Sequence, residues 1–384
     1  MTTVVGQVAA GWEPVRDAFE GNFAERGDLG AGVAVVHQGR LVVDLVGGHR
    51  DGDGTVPYGP DALQLVFSTT KGMTAVCLAL CVQRGWVSPT TRVRSLWPEL
   101  PADVTVEQLV SHQAGLVTVE PALTLEQALD WATAVRGLEG TTPEWEPGTA
   151  HGYHAVTYGW LAGEVVRRAD PAHRGLGRFF ADEVAGPLGL DTWIGLPAEH
   201  EPRVVPLIPP EPPGDPAVAA LMAAAMGPHT RGGRALSMSG AFTPAPGEGS
   251  PFNTRAVHAA EIGAANGITN ARSLARMYGA LVAPVDGVRL LDPATVEVAR
   301  SQRVRAADAC LLAETSFGLG FMLDTAFNPL LSPGSFGHPG AGGSLGFADP
   351  ESGIGFGYVM NRMQMNLSAD PRQGALIDAV RRCL

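Results

Sequence analysis

Two runs near the start of the chain, Gly32-Val-Ala-Val-Val-His-Gln-Gly39 and Arg40-Leu-Val-Val-Asp-Leu-Val-Gly47, are rich in β-branched residues and meet at Gln38-Gly39. They predict an antiparallel hairpin closed by a glycine turn. Positions 10–27, ahead of it, carry helical spacing. From Met73 to Val82 the chain is apolar on every face, and Gln83-Arg84-Gly85 follows. A helix with no polar face is central and buried, and the glycine stops it. From Thr90 to about Arg168 the pattern is mostly helical, including Val104–His112 with Thr105 as its cap, and Thr124–Ala134. Helical spacing returns at Ala271–Leu281 and around Pro293–Gln302. Three β-rich runs follow, Phe317–Leu323, Gly343–Ala348 and Gly353–Met360, and a closing helix is expected over Arg372–Arg382. Strands at both chain ends with helices between them predict an α/β fold of the α+β type. One antiparallel sheet would draw on both termini and carry a helical insertion. We place the α/β part at approximately 1–70 and 282–384, and the helical, loop-rich part at approximately 71–281, within one domain.

Residues 197–251 break this order. They hold twelve of the thirty prolines and show no sustained periodicity. A connection of that length is expected to be a lid, a binding loop or a disordered segment, and to shape one wall of a pocket.

Composition narrows the function. With 45% hydrophobic residues the chain can bury a sizeable core. A net charge of −12 argues against nucleic acid and anionic membrane as partners. The N-terminal segment lacks the basic and apolar regions of a signal peptide, and no run is long enough to span a membrane, so a cytoplasmic protein is expected. Cys77 and Cys81, one helical turn apart on the apolar helix, read as small core residues, while Cys310 and Cys383 are isolated. No zinc-ligand spacing occurs, and neither a metal nor another cofactor is expected. The wealth of Ala, Gly, Pro and Arg points to a GC-rich bacterial source.

The chemistry concentrates at Ser68-Thr-Thr-Lys71, because Lys71 is the only lysine in 384 residues. Arginine serves wherever a plain positive charge is needed; lysine can lose its proton inside a protein and arginine cannot. A serine followed at i+3 by a deprotonatable amine at a helix start is a nucleophile beside a base. The helix N-terminus also favours developing negative charge there. The alternative, an N-cap serine with a snorkelling lysine, is the common meaning of an isolated S-x-x-K.

Two later segments supply partners: Trp145-Glu-Pro-Gly-Thr-Ala-His-Gly-Tyr153-His-Ala, and Phe336-Gly-His338-Pro-Gly340-Ala341-Gly-Gly-Ser. With Val110-Ser-His112-Gln-Ala-Gly-Leu116, which is similar to an L-L-S-H-T-S-G-L segment, they stand in the order found in one superfamily. The chain resembles the serine β-lactamases and penicillin-binding proteins over nearly its whole length, most closely the class C branch with the family VIII carboxylesterases. The resemblance implies a β-lactamase-like fold, Ser68 as acylated nucleophile, Lys71 as its base and Tyr153 as proton shuttle to the leaving group. His338 would stand at the K-T-G lysine and act with them. The backbone N–H groups of Ser68 and Ala341 would form the oxyanion hole, with Gly340 and His154 beside the substrate. His112 reads as a packing or hydrogen-bonding residue and Tyr158 as packing, and His37 is given no role. Two departures bear on substrate. The Y-x-N asparagine is missing, since the run is Tyr153-His154-Ala155, and His338 replaces a fixed cation, leaving a hydrogen-bond donor. Both favour an ester over a lactam. The reading is a carboxylesterase on small-molecule acyl substrates. A transacylase of a natural-product pathway, a β-lactamase or D-amino-acid peptidase, and a silent binding protein are the alternatives. The oligomeric state is not encoded in any motif.

Overall fold

The computed structural model describes residues 2–384. Its centre is a nine-stranded antiparallel sheet made from both chain ends. In chain order the sheet strands are β1 (Val4–Val8), β2 (Gly30–His37) and β3 (Arg40–Gly48), then β6 (Val304–Ala307), β7 (Glu314–Phe317), β8 (Met322–Leu323), β9 (Phe336–Pro339), β10 (Leu345–Asp349) and β11 (Ile354–Met360). They lie side by side as β1-β3-β2-β11-β10-β9-β8-β7-β6, while β4 (Gln64–Leu65) and β5 (Ile268–Thr269) pair apart from them. The expected hairpin is β2–β3, and both Gln38 and Gly39 adopt positive φ (48° and 80°), as its tight two-residue turn requires.

Alternation along β2 sends Val33 and Val35 into one core and Ala34 and Val36 into the other. The first core is covered by α1 (Glu13–Glu25) and α5 (Pro371–Cys383), through Val15, Phe19, Leu376 and Val380. The second holds α2 (Thr69–Gln83), α3 (Thr157–Ala169) and α4 (Ala271–Val282). Gly355 and Gly357 let α4 lie directly on β11. A Cβ at Gly355 would come within 2.2 Å of the Gly279 nitrogen, and one at Gly357 within 2.3 Å of the Ala271 oxygen. α4, which lies within the range assigned to the helical part, thus packs directly on the sheet.

Other expectations are refined. The run Phe317–Leu323 is not one strand: Gly320, at φ +83°, turns the chain between β7 and β8. The short strands β1 and β6 carry too little alternation to be seen in sequence. The Pro-rich segment is partly helical, over Pro216–Met226 and Arg231–Ser237, with Asp215 and Thr230 accepting backbone N–H groups as N-caps. Proline at the first position of a helix costs nothing there, so proline content misleads at helix starts. Residues 90–168 hold short helices separated by irregular chain. Among the described residues no helix is long and apolar enough to cross a membrane.

Candidate active site

Ser68 stands at the corner where β4 gives way to α2. The preceding Phe67 has φ 42°, a left-handed conformation costing about 1–3 kcal/mol for a non-glycine residue. Neighbouring bonds hold it. Thr70 donates both its N–H (2.9 Å) and its hydroxyl (2.5 Å) to the Phe67 carbonyl, and the Gly267 N–H donates to the Thr70 hydroxyl (2.7 Å). The Ser68 side chain makes no capping bond and is left free for chemistry.

Lys71, one turn along α2, is fully buried. Its Nζ lies 2.6 Å from the Ala155 carbonyl, 3.0 Å from the Ala264 carbonyl and 3.0 Å from Ser68 Oγ. Among the described residues no carboxylate forms an ion pair with it. Burial alone holds its pKa well below the ordinary lysine value. A neutral amine has two N–H bonds and one lone pair. Carbonyls can only accept, so they take the two N–H bonds, and the remaining tetrahedral direction, the lone pair, faces Ser68 Oγ. Ala155, which stands at the position of the missing Y-x-N asparagine, thus holds the lysine through its main-chain carbonyl.

Tyr153 is buried with its hydroxyl within hydrogen-bonding reach of the Ser68 side chain, and Lys71 Nζ sits 4.7 Å from its ring centre. Burial pushes the phenol pKa up, so Tyr153 is a protonated donor in the resting site. Two features fix it, and Asp308 was absent from the sequence reading. His112, at φ 67°, brackets the segment: its carbonyl accepts the Gly152 N–H (3.1 Å) and its Nδ1 the His154 N–H (3.1 Å). Buried Asp308 accepts the N–H groups of Tyr153 (3.0 Å), Cys310 (2.8 Å) and Leu311 (2.9 Å) on one oxygen. Its second oxygen takes the Thr315 hydroxyl (3.1 Å). Asp308 stands 155 residues from Tyr153, and no local pattern marks it.

His338, on β9, is buried beside Tyr153, with ring centres 5.9 Å apart. Its Nδ1 contacts the Pro339 carbonyl at 2.7 Å, so Nδ1 carries the proton. Burial, with Lys71 nearby, lowers its pKa to about 3. The ring is neutral, and its buried Nε2, without a partner, is an acceptor. The donor expected here is thereby corrected: the only ring proton is committed to the main chain.

Ser68, Tyr153, His338 and Ala341 line one narrow cavity, walled by Leu236, Leu311, Met322, Phe327 and Leu367. Leu236 comes from the Pro-rich segment, as expected of a pocket wall. Among the described residues the N–H groups of Ser68 and Ala341 donate to no group of the chain, as an oxyanion hole requires. Gly340 lies beneath rather than on the cavity: a Cβ there would meet Ser344 Oγ at 2.2 Å and the Val66 carbonyl at 2.3 Å, so glycine is needed to bring β9 against the nucleophile turn. His154 does not fit the substrate-contact role given to it. Its Nδ1 donates to the Gly152 carbonyl (2.7 Å) and its Nε2 accepts the Leu116 N–H (3.0 Å), which leaves neither nitrogen free.

The arrangement, an amine lone pair at a serine, a phenol at the same oxygen and two free N–H groups, is suited to acyl transfer. The beta-lactamase family profile matches residues 15–380. The chain is 35% identical over 359 residues to the esterase/beta-lactamase LipL of Mycobacterium tuberculosis (strain ATCC 25618 / H37Rv), covering 90% of this chain and 80% of that protein. Among solved structures it is similar to a family VIII carboxylesterase, with TM-score 0.88 and 36% identity over 100% of both chains. A penicillin-binding protein homologue from Caulobacter crescentus gives TM-score 0.86 and 37% identity, again over 100% of both. The fold is the expected β-lactamase-like one, and the chain belongs to the beta-lactamase family as an enzyme of the serine-hydrolase type.

Proposed function

We propose that the protein is a carboxylesterase working through an acyl-enzyme on Ser68. The observation that carries this is the Lys71 amine, buried without a counter-charge, its pKa held well below the ordinary lysine value, and placed between two carbonyls with Ser68 Oγ at its third contact. Ser68 passes its proton to Lys71 as Oγ attacks the ester carbonyl, and the carbonyl π pair moves to oxygen, which the Ser68 and Ala341 N–H groups receive. Collapse breaks the bond to the leaving alkoxide. Tyr153 gives that alkoxide its proton and is reprotonated by the Lys71 ammonium. Both groups return neutral, ready for water to attack the acyl-enzyme by the same steps.

The substrate class follows from the walls. The cavity side chains are apolar, and neither cavity nitrogen base is charged, so an uncharged ester fits and a carboxylate-bearing lactam does not. The name of one relative, a family VIII carboxylesterase, supports the choice of ester, while another is named for both esterase and beta-lactamase activity. The same apolar walls would seat an alcohol or amine in place of water, which is the transacylase form of this reaction.

Ser68→Ala tests the reading. Turnover of simple esters should fall on the order of a thousandfold or more, as for loss of a nucleophile. Fluorophosphonate labelling should vanish, and the melting temperature should hold because Ser68 makes no capping bond. Ester turnover near the parental rate would overturn it, and a parental kcat/KM for a cephalosporin equal to that for simple esters would favour a lactamase instead.

A further inference from the structure

The cavity N–H of Ala341 sits in a glycine-rich turn, Gly340–Ser344, between β9 and β10. In such a turn peptide planes rotate easily, since Gly342 and Gly343 both adopt φ values (84° and 129°) open to glycine. Two planes in series fix the donor. The peptide joining Gly340 to Ala341 presents the Ala341 N–H on one edge, and its carbonyl on the other accepts the Gly343 N–H at 3.1 Å. That N–H belongs to the peptide joining Gly342 to Gly343, whose carbonyl accepts Arg372 Nη2 at 2.5 Å and shares it with the Gln364 N–H at 3.0 Å, so Arg372 supplies the side-chain half of the grip. Holding the second plane therefore holds the first. Gln373 completes the grip, its Nε2 donating to the Gly343 carbonyl at 2.8 Å and the Ser344 carbonyl at 3.1 Å.

Arg372 is itself immobilised. It is fully buried at the start of α5, and all five guanidinium N–H groups have acceptors. Nε donates to Asp370 (3.0 Å), Nη1 to Asp28 (3.1 Å) and the Arg362 carbonyl (2.9 Å), and Nη2 to Asp370 (2.7 Å) as well as Gly342. Asp28 is in turn held by the Tyr358 hydroxyl at 2.7 Å. A buried arginine between two carboxylates stabilises a fold little compared with apolar packing. Here it fixes the orientation of a loop on the far side of the sheet's end.

We propose that Arg372, through the Gly342–Gly343 peptide, and Gln373, through the two peptides that follow it, are positioning residues that aim the Ala341 N–H into the cavity. This rests on the acyl-enzyme reading at Ser68.

The test uses the full-length enzyme and two variants, Arg372→Lys and Gln373→Met. Active sites are counted by stoichiometric fluorophosphonate labelling, and kcat is expressed per labelled site, with KM and the inhibition constant of a trifluoromethyl ketone measured alongside. An ammonium reaches at most three of the five acceptors around Arg372, and the thioether of the second variant donates to none. Partial loss of an oxyanion donor should lower kcat per site about tenfold to a hundredfold. KM should stay within about twofold, because the donor acts in the transition state. The ketone, which forms an oxyanion when bound, should weaken in proportion to kcat/KM. A purely structural role would reduce the number of labelled sites and leave kcat per site and ketone affinity unchanged; that result overturns the proposal. If Arg372→Lys does not fold, Gln373→Met, which leaves no buried charge unpaired, decides alone. A parental enzyme that is not labelled at Ser68 would remove the acyl-enzyme reading first, an outcome distinct from a labelled parent with unaffected variants.

Discussion

Lys71→Met should remove a specific slope from the pH dependence of stability. Lysine in an unfolded chain ionises near pH 10.4. In the folded protein burial holds Lys71 far lower, with no carboxylate to restore the charge. Between these two values the unfolded state binds one proton more than the native state. Unfolding then takes up a proton, so stability rises with pH and the contribution is least favourable at the acid end of the window. The slope is 2.303RT, about 1.4 kcal/mol per pH unit for one group. From about pH 8 to about pH 9.5 the parent should gain about 2 kcal/mol relative to the variant. All other titrations are common to both proteins and cancel in the difference. Methionine also leaves the Ala155 and Ala264 carbonyls without their donor, at about 1–3 kcal/mol each, but this displaces the whole curve and not its slope. Urea denaturation at several pH values measures both. A parent-minus-variant difference that is flat across the interval would show Lys71 charged in the native state and refute the lone-pair argument. The same variant should lose fluorophosphonate reactivity about 10²–10⁴-fold, as for loss of a general base. Near-parental labelling would make Tyr153 the base instead.

Asp308→Asn keeps an oxygen for the three N–H groups gathered at Tyr153 but removes the negative charge that helps raise the phenol pKa. The alkaline limb of kcat should move to lower pH, and an unmoved limb would show that Asp308 acts by geometry alone. His338, with its pKa lowered to about 3, stays neutral at every working pH. Cephalosporin kcat/KM relative to an ester should therefore not rise on acidification from about pH 8 to about pH 5, as it would if a histidine near 6.5 were gaining charge; such a rise would refute the neutral ring.

The parts of the site legible in sequence are those made by local chemistry. Ser68 and Lys71 share one helical turn, and a lone lysine in an arginine-using chain advertises its own exception. Tyr153, His338 and Ala341 became visible through the order of motifs rather than any physical pattern around them. What sequence did not show is long-range. Asp308 reaches Tyr153 across 155 positions, and Arg372 reaches Gly342 across 30, each through backbone atoms that carry no side-chain signature. His154 was misplaced for a related reason. A motif names three neighbours, but both ring nitrogens of His154 are taken by main-chain groups of Gly152 and Leu116, the latter 38 positions away. Among fold elements, the long alternating strands β2, β3 and β11 and the helices α1, α2, α4 and α5 followed from periodicity. The packing of α4 directly on the sheet did not, because it depends on two glycines of β11 that yield their space to it.

In the proposed reaction the electrostatics of the resting site favour one kind of substrate. Lys71 is held neutral by burial, Tyr153 is held as a phenol by burial and by Asp308, and His338 spends its one proton on Pro339. A cavity lined with neutral groups and apolar walls offers a bound carboxylate no counter-charge to replace its lost hydration, a cost of several kcal/mol. An ester carbonyl has no such cost on entry. Charge appears only as the reaction proceeds, negative on the former carbonyl oxygen and positive on Lys71. The negative end meets N–H groups fixed before the reaction begins, and the positive end meets the Ala155 and Ala264 carbonyls that already hold the amine. Interactions that strengthen only in the transition state raise kcat rather than merely tightening binding. Having an alanine and a neutral ring where the family has an asparagine and a lysine therefore removes the means of holding an anionic substrate while keeping the groups that answer the charge created by acyl transfer.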